Sequence, residues 1–330
     1  MPPTKLMSLE EAVDRFVADG DTVYAGYLVV PFALTHEIVR QGKRNLEVVG
    51  ASVVWPATEL ALGGCCRRIR SGYIQGALRP GPVQEMMERG EIQYEDYSNQ
   101  AIALMLMAGA LGIPFIPTRS FLGTDYLHLE HAEYPGRIPG YRRHAVMTSP
   151  FDGQRVVLLP AIRPDVVIMH AQRADAEGNV HSWGHQGDAR WGLWAGRKVI
   201  VTVEEIVPTD VIRSDPSRTI VAGFQVSAVV HCPFGAHPGG LAGYYDFDYL
   251  FLERVLSPAL ASREGFARFR AEWIDGVHSR EEYLARVRET IGAEMFARIL
   301  AEPGRTPLAP PNYGYSRTLN LPKVQGETPW

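Results

Sequence analysis

The sequence is poor in cysteine, in long apolar runs and in excess charge of either sign. Its only cysteines are Cys65, Cys66 and Cys232, and the absence of a C-x-x-C spacing excludes a disulfide framework and a zinc knuckle. Free thiols fit a reducing compartment. The first residues include Glu10 and Glu11 and lack the apolar stretch of a signal peptide, so we expect a cytoplasmic protein.

The balance of charge excludes one class of partner. Lys and Arg total 33 and Asp and Glu total 37, a net charge of -4, which lacks the basic footprint of a nucleic-acid-binding protein. The longest apolar run, 101–116, is shorter than the ~20 residues that span a bilayer and contains Pro114. It predicts a buried helix followed by a buried strand, with no membrane partner.

The common catalytic loops are also absent. No G-x-x-x-x-G-K-[ST] sequence occurs, and no G-x-G-x-x-G follows a strand. A G-x-S-x-G elbow is missing as well. Phosphoryl transfer, hydride transfer and serine hydrolysis therefore lose support.

What the sequence does contain is an alternation of helices with short apolar strands. Ser8 and Glu11 form a capping box at the start of the first helix, and Asp19-Gly20-Asp21 ends that helix. Further helices are predicted at 32–41, 82–89 and 99–111. Strands are predicted at 22–25, 46–49, 69–74, 113–116, 155–159, 166–170, 198–203 and 219–230. This pattern predicts an α/β fold with an open, mostly parallel sheet and helices on both faces.

The C-terminal part of the chain differs from the rest. Residues 249–300 show a charged, helical pattern and predict a helical extension of a single domain covering 1–300. Residues 301–330 are rich in proline and polar residues. We expect this tail to wrap a surface or a partner.

The histidines concentrate in the second half of the sequence. His181 and His185 have the spacing of two metal ligands on one helix face, but nearby glycines favour a loop. With His170, His231 and His237 they are interpreted as buried or loop-bracing groups, and no metal is expected.

The first predicted strand ends at a glycine, Gly26. A strand that ends in this way leaves backbone amides at its carboxyl end, where ligands of open α/β sheets bind. An ordinary tight turn between strand and helix explains the same residues, and both interpretations stay open here.

A series of motifs in a fixed order carries a family resemblance. The motifs are Asp-Gly-Asp-Thr-Val-x-x-Gly at 19–26, Ala-Gly-Ala-Leu-Gly-Ile-Pro-Phe at 108–115 with Thr-Arg-Ser at 118–120, Leu-Gly-Thr-Asp at 122–125, His-Ala-Gln-Arg-Ala-Asp at 170–175 with Gly178-Asn179, Glu-Glu-Ile-Val at 204–207, and Pro-Phe-Gly-Ala-His-Pro at 233–238. From about residue 8 to about residue 300 the chain resembles the α subunit of class I CoA-transferases, and most of all the glutaconate CoA-transferase α subunits. It departs from them at Ala25-Gly26-Tyr27, where relatives often have Gly-Gly-Phe, which bears on substrate preference.

The resemblance implies the CoA-transferase (NagB-like) fold and a division of labour between subunits. In that family a glutamate of the β subunit, in a Ser-Glu-x-Gly context, attacks an acyl-CoA thioester and CoA passes to a small carboxylic acid. The resemblance implies coenzyme A as substrate, no permanently bound cofactor, and a β partner in a heterotetramer or hetero-octamer. The nearest string here, Ser262-Arg263-Glu264-Gly265, is interpreted as a solvated helix start. The nucleophile has therefore either been lost or comes from the partner chain, and we favour the partner.

The resemblance also implies which residues line the pocket. Asn99, at the start of the helix before the Ala-Gly-Ala-Leu-Gly run, is the expected pocket or oxyanion contact, with Ser98 and Gln100 beside it. A helix N-terminus favours a carboxylate ligand. Capping of the helix by Ser98 or Asn99 is the competing explanation. Gly26 and Tyr27 are expected to bind substrate at the end of the first strand.

Further positions complete the expected substrate-binding set. Ser52 matches the place of a polar contact in relatives, although an ordinary turn serine fits equally well. Ser71 and Tyr73 follow the next strand and are weaker candidates. Arg119 is a partner either for a substrate carboxylate or CoA phosphate, or for a structural ion pair.

A lyase, decarboxylase or hydrolase acting on CoA thioesters is the alternative function. Relatives that hydrolyse a CoA thioester containing a ring carry an acidic residue near the position of Asn99. Asn99 argues against that branch, while Glu95 and Asp96 keep it open.

Overall fold

The computed structural model of the chain describes residues 4–26, 29–74, 81–128 and 140–301. Its strands are, in chain order, β1 (Thr22–Tyr24), β2 (Leu46–Gly50), β3 (Cys66–Ser71), β4 (Gln93–Asp96), β5 (Phe115–Thr118), β6 (Ala145–Thr148), β7 (Arg155–Pro160), β8 (Val166–Ala174), β9 (Val180–His181), β10 (Lys198–Ile206), β11 (Thr219–Val221) and β12 (Ala228–His231).

The central sheet has nine strands, and most of them run parallel. Every neighbouring pair in the row β4-β3-β2-β1-β8-β10-β12 is parallel, while β9 and β11 add antiparallel pairs beyond the end of β8. β2 is buried along its whole length, and β8 is buried at all but one residue. Strands covered on both faces do not need alternating polarity, which explains their short, continuous apolar character. The predicted open, mostly parallel sheet is confirmed.

The single strand predicted over 219–230 is wrong. A 3-10 turn at Gly223–Gln225 divides it into β11 and β12. The Gly223 amide donates to Asn179 Oδ1 over 2.9 Å, so the turn is held by a contact from a distant loop. Sequence polarity carried no sign of that contact.

The helices cover both faces of the sheet. They are α1 (Leu9–Phe16), α2 (Phe32–Arg40), α3 (Val54–Leu62), α4 (Pro82–Glu88), α5 (Asn99–Ala110), α6 (Ala189–Ala195), α7 (Thr209–Arg213), α8 (Tyr249–Phe251), α9 (Ser257–Ala259), α10 (Arg263–Phe269), α11 (Arg280–Ile291) and α12 (Ala293–Ile299). One core cluster joins the sheet to α1–α4 and the C-terminal helices, and a second joins it to α5 and α6. Val23 and Tyr24 point into different clusters, as successive residues of a strand must.

A separate antiparallel sheet of β5, β7 and β6 packs on the second core cluster. The strand predicted to follow α5 belongs to this sheet and is exposed at Phe115 and Pro117, so its predicted burial is wrong. Among the described residues, one face of this small sheet is covered, chiefly through Val157 and Leu159 of β7.

The predicted helical region at 249–300 is confirmed, with turns of π-helix at 252–256 and 270–274 between its helices. The tail from 302 onward lies outside the described residues, and its wrapping role stays a prediction. Across the described ranges, none of the helices is both long and apolar enough to cross a bilayer.

Candidate active site

The carboxyl ends of the parallel strands share one edge of the sheet, which we call the carboxyl edge. β1 is followed by α2 and β2, on one side of the sheet, whereas β8, its neighbour, is followed by α6 and β10 on the other. The chain order therefore reverses between β1 and β8. Open α/β sheets bind ligands in the crevice at such a reversal.

Several of the predicted site residues meet at this edge because strand register aligns them. Tyr24 lies opposite Val49, so Gly26 and Ser52 lie just beyond the ends of adjacent strands. Gly50 lies opposite Ser71, which in turn lies opposite Asp96. The four loops that follow β1–β4 are thus brought side by side.

Gly26 makes the turn after β1 possible. Its φ of +62° falls in the left-handed region that glycine adopts freely. A Cβ at this position would lie 3.0 Å from the carbonyl oxygen of Val29, so a side chain here would be crowded. Tyr27 lies outside the described residues, and its predicted substrate contact stays a prediction.

Asn99 lies where the loop after β3 meets the start of α5. Its backbone nitrogen and Oδ1 approach Gly72 so closely that any side chain on Gly72 would overlap them. Ser98 is the residue that caps α5, since its Oγ accepts from the Ala101 amide over 3.1 Å. Capping is therefore assigned to Ser98, and Asn99 and Gln100 remain exposed at the carboxyl edge.

The Ser71 side chain connects two loops at the carboxyl edge. Its buried Oγ lies 3.1 Å from the carbonyl oxygen of Tyr73 and accepts from the Tyr73 amide over 3.2 Å. It also lies 3.4 Å from the carbonyl oxygen of Ala51, which links the loops after β2 and β3. Ser52, the residue after Ala51, lies between β2 and α3 and is half-buried.

Sequence reasoning missed Asp188, which precedes α6. Its carboxylate accepts from Tyr24 Oη over 2.9 Å and from the Ala51 amide over 3.0 Å, so it joins β1 to the loop that carries Ser52. The side chain is buried, and burial raises the pKa of Asp188. Its position between Gly187 and an apolar helix looks like a helix cap, but its side chain makes no cap hydrogen bond.

The two acidic residues near Asn99 have different surroundings. Glu95 is fully buried and paired with Arg143, whose guanidinium lies 4.5 Å from the centre of the Tyr97 ring. Asp96 is half-buried and accepts from Tyr94 Oη over 2.9 Å. Burial raises the pKa of Asp96, and the hydrogen bond from Tyr94 opposes the rise.

Arg119 forms an ion pair on the surface. It follows β5 on the small sheet, is exposed, and lies 3.3 Å from Asp152. It borders an open apolar recess of about 510 Å³ that also includes Phe115 and the 96% exposed Phe151. Its predicted role as a substrate or phosphate contact stays a prediction.

His170, His181 and His237 are buried, as expected, whereas His185 and His231 are exposed. His170 Nε2 lies 2.8 Å from Glu204 Oε1, which also accepts from the Phe234 amide and from Tyr245 Oη. Burial opposes ionisation of Glu204, but the contacts with His170, the Phe234 amide and Tyr245 together outweigh it and lower the pKa of the carboxylate. In the described part of the chain, no group of His, Cys, Asp or Glu side chains has the arrangement of a metal site.

His237, in the segment after β12, is likewise buried between a carboxylate and a tyrosine hydroxyl. It contacts Asp248 over 3.0 Å and Tyr283 over 2.9 Å. Burial lowers the pKa of His237.

The Ser-Arg-Glu-Gly string starts a surface helix, as predicted. Ser262 Oγ accepts from the Gly265 amide over 2.9 Å and caps α10. Glu264 is exposed in the first turn of that helix. This placement on a C-terminal helix differs from the strand end where the family's nucleophile is expected.

Comparison with known proteins gives one consistent result. A family model described as Coenzyme A transferase matches residues 6–231. The chain is 34% identical over 292 residues to the A-type subunit of 3-oxoadipate CoA-transferase from Pseudomonas knackmussii, covering 86% of this chain and 99% of that one. It is 31% identical over 316 residues to the A-type subunit of glutaconate CoA-transferase from Acidaminococcus fermentans, covering 91% and 96%.

Solved structures show the same likeness. The crystal structure of the Acidaminococcus fermentans glutaconate CoA-transferase superposes with a TM-score of 0.80 at 30% identity, covering 91% of this chain and 97% of that one. The decarboxylase AibA/AibB, solved as a variant with one cysteine replaced by serine, gives a TM-score of 0.68 at 32% identity, covering 82% and 98%.

Proposed function

The chain belongs to the coenzyme A transferase family, and from this premise we propose that it is the α subunit of a heteromeric CoA-transferase. The enzyme moves CoA between an acyl-CoA thioester and a carboxylic acid. The observation that carries the proposal is the match, over nearly the whole of both chains, to the A-type subunits of two CoA-transferases. We infer a β partner in an α2β2 or α4β4 assembly.

The attacking carboxylate comes from that partner. Glu264, in the nearest copy of the nucleophile motif, is exposed on α10 rather than at the carboxyl edge. The partner's glutamate attacks the thioester carbonyl and expels CoA thiolate, leaving an acyl anhydride. The thiolate then attacks the glutamyl carbonyl of the anhydride, which releases the first acid and leaves a glutamyl-CoA thioester. The second acid then attacks the glutamyl-CoA thioester, which forms a second anhydride and expels CoA thiolate. The thiolate attacks the acyl carbonyl of that anhydride, which frees the glutamate and gives the new acyl-CoA.

This chain supplies one wall of the pocket. The exposed Asn99 amide at the start of α5 donates to the oxyanion that forms at each tetrahedral stage, and the adjacent helix N-terminus favours negative charge there. Gly26 and Ser52 contribute polar groups from the loops after β1 and β2. Coenzyme A is a substrate in this scheme, and no resident cofactor takes part.

Mass spectrometry on the two subunits tests the division of labour. We expect a covalent CoA thioester adduct on the partner when both subunits meet an acyl-CoA, and none on this chain. Acyl exchange between an acyl-CoA and a second acid should require both subunits. A CoA adduct on this chain, purified alone, would refute the proposal.

A decarboxylase or hydrolase acting on a CoA thioester is the second candidate. It is favoured by the likeness to the decarboxylase AibA/AibB and by the half-buried Asp96, whose raised pKa suits a proton donor. Carbon dioxide or free-acid release without an acceptor acid distinguishes this activity from transfer. If Asp96 is the proton donor for decarboxylation or hydrolysis, Asp96→Asn abolishes the release of carbon dioxide or free acid. CoA transfer does not require a proton from Asp96.

A further inference from the structure

A small recess opens beside the carboxyl edge, between α3, α4 and the end of β3. Its volume is about 160 Å³. Thr58 of α3, Ile74 beyond β3, Val83 and Met87 of α4 and Tyr94 of β4 line it. At about 30 Å³ per water molecule it has room for about five waters, or for a chain of roughly four carbons.

The recess adjoins the predicted site. Ile74 lies in the loop after β3, three residues beyond Ser71, the last residue of that strand. Tyr94 borders the recess and donates its hydroxyl to Asp96, which lies opposite Ser71 in the sheet. A group held at the carboxyl edge therefore has an apolar space next to it.

The chemistry of the lining selects its occupant. Thr58 Oγ1 donates to the Val54 carbonyl oxygen over 2.7 Å, and the Tyr94 hydroxyl is used by Asp96. Gln84, also in the lining, donates its amide to Glu88 over 3.0 Å. None of the lining residues described carries a charge. A carboxylate placed here would lose its hydration without gaining a cation, whereas an alkyl group would lose only contact with water.

We propose that this recess holds the tail of the substrate's acyl group and selects a short, uncharged acyl chain over a dicarboxylic one. The proposal rests on the proposed function and adds the substrate class to it. It identifies Val83 and Met87 as specificity-determining residues, because both line the recess from one helix, α4.

Acyl exchange by the complex of this chain with its β partner tests the proposal. Acetyl-, pentanoyl-, heptanoyl- and glutaryl-CoA serve as donors with a common acceptor acid. Pentanoyl and glutaryl groups have equal chain length and differ in the terminal carboxylate. One methylene in a hydrophobic pocket changes kcat/KM by about 10-fold or more. We therefore expect kcat/KM for pentanoyl-CoA to exceed that for acetyl-CoA, and that for glutaryl-CoA, by at least 10-fold.

Variants of opposite effect locate the preference in the recess. Val83→Phe fills the recess and should lower the ratio of kcat/KM for pentanoyl-CoA to that for acetyl-CoA at least 10-fold. Met87→Ala enlarges the recess and should raise the ratio of kcat/KM for heptanoyl-CoA to that for pentanoyl-CoA. This second variant tests the proposal by itself if Val83→Phe fails to fold. The matched control, Val146→Phe on the small sheet, should leave both ratios unchanged.

The outcomes are distinguishable. A wild-type preference for glutaryl-CoA over pentanoyl-CoA, or ratios that Met87→Ala does not move, would overturn this inference while leaving CoA transfer intact. Absence of exchange with every donor, acetyl-CoA included, would instead refute the proposed function, on which the inference depends.

Discussion

Replacement of Asp188 tests whether a buried carboxylate fixes the loop that carries Ser52. Asp188→Ala removes the acceptor for both Tyr24 Oη and the Ala51 amide. Hydrogen bonds to a charged group contribute about 1.5–3 kcal/mol each, and those to this group share one desolvation cost. We expect the free energy of unfolding to fall by about 2–4 kcal/mol.

Asp188→Asn should behave differently. Its Oδ1 can accept from the Ala51 amide, while its Nδ2 donates to Tyr24 Oη, so both contacts persist without a buried charge. The pKa of Asp188 lies above its ordinary value of 3.8, so the folded chain keeps this proton to higher pH than the unfolded chain does. The wild-type free energy of unfolding therefore carries a term that falls as pH rises from 3.8 through the folded pKa, and the Asn variant lacks that term.

Urea denaturation of the three proteins across that pH range measures these differences. The stability of Asp188→Asn relative to wild type should rise with pH and then level off. Acyl exchange measured alongside should fall for Asp188→Ala, because the loop after β2 loses its anchor. A free energy of unfolding for Asp188→Ala within 1 kcal/mol of the wild-type value, about the contribution of one ordinary hydrogen bond, would show that this carboxylate does not fix the loop.

Three further predictions concern the carboxyl edge and the excluded nucleophile. Asn99→Ala should lower kcat for exchange by about 100-fold, the usual effect of losing one oxyanion donor, with assembly unchanged by size-exclusion chromatography; unchanged rates would remove Asn99 from the site. Glu264→Gln should leave exchange within about twofold of wild type in the same assay, since Glu264 is exposed on α10, and loss of exchange would indicate that this carboxylate takes part in the reaction. Gly72→Ala should lower both stability and exchange, because its Cβ would displace Asn99; thermal unfolding and kcat measure the two effects, and a wild-type kcat would show that the position of Asn99 is not critical.

The sequence by itself determined the class of fold and the family to which the chain belongs. Ser8 predicted the start of α1, and Ser98 that of α5, because a helix cap depends only on residues three positions apart. Gly26 predicted the turn after β1 because a left-handed residue favours glycine. The family resemblance, carried by motifs spread from residue 19 to residue 238, is confirmed by the match at 6–231.

Tertiary structure alone decided which of these groups meet. Strand register placed Ser71 against Asp96, and nothing in the local sequence encodes register between strands joined by a whole helix. Asp188 reached Tyr24 and Ala51 across more than a hundred residues of chain, and the turn that divides 219–230 includes a hydrogen bond from the Gly223 amide to Asn179 Oδ1. Arg119, next to β5 of the small sheet, lies 3.3 Å from Asp152, which follows it by 33 residues in the chain. Local patterns fix conformation over a few residues, whereas contacts between distant residues are fixed only when the whole core packs.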